Sequence, residues 1–227
     1  MTRQEELLMK EAMHTRHTVR RYLDKPIPEE IIRKLNARIA ENNRKYNLAL
    51  KLMVNDDRPF NAILRTILAK GVKNYIILSG KDTPDLDERL GYSGADLMLY
   101  AQTLGLNTWW IGVTFSKKAT AQVADGEKII GIIAIGYGAT QGVPHRSKRP
   151  EEVASYNGEA PEWFKKGVKA ALLAPTAINR QAFKITGNGR KVKVVCNNGV
   201  FTGADLGIVK YHFELGAGAE NFEWTQE

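Results

Sequence analysis

The segment Arg16-His17-Thr18-Val19-Arg20-Arg21 places guanidinium groups, an imidazole and a hydroxyl side by side. That combination suits a phosphate monoester. Such a group carries close to two negative charges, and arginine meets its oxygens with paired donors while a hydroxyl or backbone N–H completes the cradle. Arg16 and Arg20 are four apart and share a face if the segment turns helically. The plainer reading is a solvated basic face. A second candidate is Ala174-Pro175-Thr176-Ala177-Ile178-Asn179-Arg180-Gln181. Asn and Gln amides offer donors and an acceptor together, which suits a heterocycle edge presenting N–H beside C=O. The plainer reading is a helix-to-strand loop in which the amides cap backbone groups. In Trp109-Trp110-Ile111-Gly112, a glycine after an apolar strand would let the backbone approach a flat ligand.

Other chemistries find little support. Gly136-Tyr137-Gly138 follows a strand, but Pro144 and a basic loop come next where a dinucleotide fold would place a helix, and the third glycine is missing. His14 and His17 lie three apart and His145 and His212 are isolated, so no zinc spacing arises. No nucleophile elbow or Walker loop occurs. Cys196, the one cysteine, sits in a β-branched run and reads as a buried strand thiol in a protein of a reducing compartment such as the cytosol. No stretch is long and apolar enough for a membrane span, and the N-terminus lacks a signal-peptide core. The net charge of +8 favours anionic partners. The basic clusters at 16–21 and 145–149 do not alternate with aromatics as a single-strand platform would.

The elements that must position these residues can be read from periodicity. With 43% apolar and 26% charged residues, the 227-residue chain has a globular composition and can bury a core without staples. Helices are expected over 3–15, from Pro28 to about Asn43, after Asp82-Thr83-Pro84-Asp85, and from a Ser93 cap to a stop at Gly105. A short helix is expected over 62–70. Strands are expected in VKNYIILSG, NTWWIGV and KIIGIIAIGYG, the last buried on both faces. Residues 139–162 read as a long loop. A helix follows in EWFKKGVKAALLAP, then a hairpin of AFKIT and RKVKVVCNN turned at TGNGR. GADLGIVKYHFELGAG closes the chain with a helix, and ENFEWTQE follows as a tail with an edge strand. About five strands mixed with helices predict an α+β sandwich, a central and mostly antiparallel sheet flanked by helices.

These segments together resemble the FMN-dependent nitroreductase family. RHTVRRYLDKPIPEEII resembles its N-terminal phosphate-binding stretch, YSGADLMLYAQTLGLNTWWIG its central helix and strand, and IIGIIAIGYGATQGVPHRSKRPEEV its last core strand and basic loop. APTAINRQAFKI resembles the A-P-S-x-x-N-x-Q-P flavin-edge motif. That motif usually follows the N-terminal helix. Here ARIAENNRKYNLALKL holds that place, as in a subgroup where one chain carries features of two half-sites. Thr18 and Thr176 replace the usual serines, and Ala182 the usual proline.

The resemblance implies one nitroreductase-like domain over 1–227, with two pseudo-repeated halves, 1–150 and 160–227. It implies that Arg16, His17, Thr18 and Arg20 contact the FMN phosphate and ribityl side. Thr176, Asn179 and Gln181 would lie along the ring and ribityl. Ile111 and Gly112 would sit near the ring, a backbone N–H reaching N5. One or more of Arg146, Lys148 and Arg149 would add phosphate charge. NAD(P)H would be the co-substrate, and a nitroaromatic or quinone the electron acceptor. A cytoplasmic homodimer is implied, with no nucleic-acid or membrane partner, and no side chain is needed as acid or base. The alternatives are a nitroreductase-fold flavoenzyme of other redox chemistry, a basic nucleic-acid-binding module without flavin, and a degenerate fold that has lost it.

Overall fold

The computed structural model describes residues 2–60, 70–124, 126–197 and 199–225. The helix expected over 62–70 lies outside them, apart from Lys70. Helix α1, Arg3–Thr15, starts on a capping box in which Thr2 and Glu5 bond reciprocally, and it buries Met9, Ala12 and Met13. Helix α2, Glu29–Tyr46, begins after Pro28 and runs past its expected end at Asn42 and Asn43. Tertiary bonds replace the stop. Asn42 Nδ2 donates to Asp96 at 2.8 Å, and the Asn43 amide pairs with both backbone groups of Leu50 at 2.9 and 2.8 Å. The turn comes at Asn47, in the left-handed region with φ 50°.

The strands form two sheets, where the sequence suggested one central sheet of about five. In the first, β1 (Lys51–Met53), β2 (Tyr75–Gly80), β3 (Asn107–Ile111) and β4 (Lys128–Gly136) pair antiparallel in the order β1-β2-β4-β3. In the second, β5 (Ala154–Tyr156), β6 (Phe183–Asn188), β7 (Lys191–Cys196) and β8 (Glu223–Trp224) lie in that order. Both outer pairings of this sheet are parallel, and β6 and β7 form the expected hairpin. The region 139–162, read as loop, holds β5 and the short helix α5, Pro150–Val153. A three-residue strand paired on one side gives no period to read.

Helix α3, Leu86–Thr103, is continuous where two helices were expected. Ser93 is no cap; it lies buried in the middle of the helix. Its small residues serve a crossing with α7, Thr202–Ala217. A Cβ on Gly91 would come within 2.1 Å of the Ala204 carbonyl, and one on Gly207 within 1.9 Å of the Glu88 carbonyl. Backbone-to-backbone approach of that kind requires glycine on both sides. Helices α4, Lys117–Ala124, and α6, Glu162–Ala171, complete the fold. α3 is the shared wall of two cores. Leu90, Leu97 and Met98 face the first sheet, while Ala95 and Leu99 join the core of α6, α7 and the second sheet.

A buried ion pair ties the helices together. Arg38 grips Asp96 with two bonds of 2.8 and 2.6 Å, and the Tyr211 hydroxyl donates to the same carboxylate at 2.8 Å. Arg38 also reaches Glu5 of α1 at 3.0 Å. Four helices therefore meet at one satisfied polar cluster.

Candidate functional site

After α1 the chain leaves the helix. Arg16 is extended (φ −74°, ψ 119°), and Val19 N–H donates to the Thr108 carbonyl at 3.2 Å beside β3. The helical face expected for Arg16 and Arg20 is thus replaced by extended backbone. Both side chains nevertheless reach one cavity of about 670 Å³, within the roughly 300–1,000 Å³ usual for small-molecule sites. Arg16 is buried, whereas Arg20 is exposed and lies over the Trp109 ring, 5.4 Å from its centroid.

His17 and Thr18 line the same cavity. So do Ile111 and Gly112 at the end of β3, and Thr176 and Asn179 in the loop after α6. Segments from both 1–150 and 160–227 build the walls. Gly112 is needed by the protein itself, because a Cβ there would meet the Phe201 ring at 2.6 Å. Exposed Val113, Val143 and Ile178 give the mouth an apolar rim.

Arg146, Lys148, Arg149 and Gln181 are not brought into the wall. Arg146, Lys148 and Gln181 join the basic loop to the 176–181 loop. Gln181 is buried and accepts from Lys148 N–H at 2.7 Å, and Lys148 Nζ donates to the Gln181 carbonyl at 3.0 Å. Asn179 Nδ2 donates to the Arg146 carbonyl at 2.8 Å. Arg149 is exposed and pairs with Glu151 and Glu152. The amides read as ligand donors are thus largely occupied by backbone. The loop they hold is strained: Ile178, Asn179 and Gln181 have φ of 46°, 57° and 45°. The left-handed region is costly for a β-branched residue such as Ile178, and such strain collects at ligand clamps.

Charge at the site is uneven. Arg16 is 4% exposed, and none of its guanidinium nitrogens has a partner among the described residues. Burial pushes its pKa down to about 10, with Tyr22 opposing, so it stays cationic at neutral pH. His17 is pushed down by burial and by the positive Arg16 and His145. His212 is fully buried and pushed down to about 3, chiefly by burial. It therefore stays neutral: its Nδ1–H donates to the Ile208 carbonyl at 2.9 Å and its Nε2 has no partner among the described residues. Arg16, His145 and His212, scattered in sequence, thus meet in space. Sequence reasoning missed the α7 face as well. Phe201, Ala204, Asp205 and Ile208 recur at helical spacing and form the cavity wall opposite β3. The available signal was Asp205 set directly before the apolar run Leu206-Gly207-Ile208-Val209.

A profile of the family described as "Putative TM nitroreductase" matches residues 8–217. The chain belongs to the nitroreductase family. Solved structures agree with this fold. One described as a putative nitroreductase from Thermotoga maritima is 21% identical, with 96% of this chain and 88% of that one covered and a TM-score of 0.71. A Desulfovibrio desulfuricans protein of the same description, solved with FMN, is 23% identical over 67% of this chain and 96% of its own, with a TM-score of 0.52. A nitroreductase-like protein from Streptococcus mutans is 15% identical over 68% and 98%, with a TM-score of 0.54. The two shorter proteins are matched almost whole and leave the rest of this nitroreductase chain without a counterpart. No curated protein matched the sequence. Among the described residues, no helix is long and apolar enough to cross a membrane.

Proposed function

We propose that this nitroreductase-family oxidoreductase holds FMN in the 670 Å³ cavity and passes hydride from NADH or NADPH to a flat acceptor such as a nitroaromatic or quinone. The observation that carries the reading is Arg16. A buried guanidinium with no carboxylate beside it leaves the protein short of an anion, and a phosphate supplies one. FMN is the flavin that ends in a phosphate monoester, and the Desulfovibrio relative was solved with it.

The residues present fit the group. Arg16 would hold the phosphate, with His17 and the Thr18 hydroxyl at its side. Trp109, Trp110 and Ile111 would flank the ring, and the 176–179 loop would close over it. Bound flavin supplies the redox centre, taking up hydride and giving it away. The chain's own part is to bind, to orient, and to exclude water with the apolar wall of α7. Arg16 lies too deep for a polynucleotide backbone, which speaks for a small ligand.

The test is anaerobic spectroscopy of the purified protein with added FMN. NADH or NADPH should bleach the flavin band near 450 nm, and a quinone should restore it. A protein that takes up FMN but is bleached by neither nicotinamide would refute the electron route.

A further inference from the structure

We propose that Asp205 is a catalytic residue, the proton donor to the acceptor in this cavity. The inference rests on the flavin reading above. Asp205 belongs to the α7 face that walls the cavity, between Phe201 one turn before and Ile208 about one turn after. Its Oδ1 accepts from Ala177 N–H at 2.9 Å, which fixes the carboxyl against the strained loop. Its Oδ2 has no partner among the described residues, and Asp205 lines the cavity. A carboxyl with one oxygen anchored and the other free is oriented to hold a proton toward whatever fills the space.

The surroundings keep that proton available. Burial pushes Asp205 up to about 6, with the Ala177 N–H pulling the other way. Nearby charges are engaged elsewhere: Glu88 of α3 pairs with Lys210. Cys196 of β7 has its thiol pushed up to about 12, by burial and then by Asp205 and Glu88. Arg16, His17 and His145 line the same cavity yet contribute nothing to the shift of Asp205. A flat ligand seated here would displace water from the carboxyl and push it further in the same direction. An acid titrating near the working pH is the most effective proton donor.

The step balances. A quinone that takes two electrons and one hydrogen as hydride, from the reduced cofactor, is left with one anionic oxygen. The Asp205 O–H bond breaks, its proton goes to that oxygen, and hydroquinone forms. The carboxylate regains a proton from water at the cavity mouth.

Asp205→Asn tests this, because an amide oxygen can still accept from Ala177 N–H while the side chain no longer holds an acidic proton. The flavin band is measured first, then both half-reactions by stopped flow. Reoxidation by quinone should slow about 100-fold relative to reduction by nicotinamide, the usual scale of general-acid catalysis. In the wild type, reoxidation should be fast below the titration of the carboxyl and fall as pH rises through about 6, and the variant should lose that dependence. Carbon NMR of the aspartates should show one carboxyl titrating near that pH and missing in the variant. A coloured variant reoxidised as fast as wild type, with the same pH profile, overturns the proposal alone. A wild type that takes up no flavin overturns the flavin reading and this proposal together.

Discussion

Replacing Arg16 with methionine should raise the melting temperature of the ligand-free protein and weaken FMN binding by at least about 30-fold. The two effects have one cause. Arg16 is buried with its guanidinium unpartnered, so the empty protein carries an uncompensated charge. Methionine keeps most of the apolar stem and removes that charge. Its loss from the complex leaves the phosphate without its partner, and truncating one side of a desolvated charge pair costs roughly 2–5 kcal/mol. Each 1.4 kcal/mol or so is tenfold in affinity, so the expected loss spans about 30-fold to several thousand-fold. Calorimetry of the free protein and a fluorescence titration with FMN read the two effects separately. A variant that melts lower would show Arg16 to be structural, and unchanged affinity would place the phosphate elsewhere.

Asp96→Ala should be the most destabilising single change outside the apolar cores. Asp96 accepts two bonds from Arg38, one from Asn42 and one from Tyr211, and all four residues lie at the junction of the helices. Removing it leaves a largely buried arginine uncompensated, and breaking such a pair costs about 3–5 kcal/mol. At roughly 2–4 °C per kcal/mol for a chain of this size, the melting temperature should fall by about 10 °C. Glu6→Ala is the control. The Glu6–Lys10 pair has the same formal chemistry but is 38% and 37% exposed, and such surface pairs contribute only about 0.3–0.5 kcal/mol. Equal effects of the two substitutions, read by thermal unfolding, would mean that Asp96 is not the tie described.

What was legible in the sequence was local. α1 carries its own cap, β4 is dense in isoleucine, and the β6–β7 hairpin advertises its turn at Gly189, where φ is +56°. What was illegible depended on partners distant in the chain. Ser93 and its neighbouring glycines look like a helix break, yet Gly91 lets α3 touch α7 backbone to backbone and Gly94 makes room for the Trp110 ring. Asn42 and Asn43 look like a helix end because nothing local shows that Asp96 and Leu50 will bond them. β5 exists only because it pairs parallel to β6.

The site divides along the same line. The basic segment Arg16–Arg20 and the end of β3 reach the cavity as their residue types suggested. Gln181 and Lys148 do not, because they bond each other. Asp205 and His212 entered only through the fold: Asp205 lies on the α7 face that lines the cavity, and His212 is a buried neutral histidine held down by burial and by the Arg16 charge.

The central claim is that a phosphate sits on Arg16, and the most direct measurement compares FMN with riboflavin, the same ring without the phosphate, by fluorescence titration of the wild-type protein. FMN should bind at least about 30-fold tighter, the lower value of a desolvated charge pair. Equal affinities, or no binding of either flavin, would contradict the account.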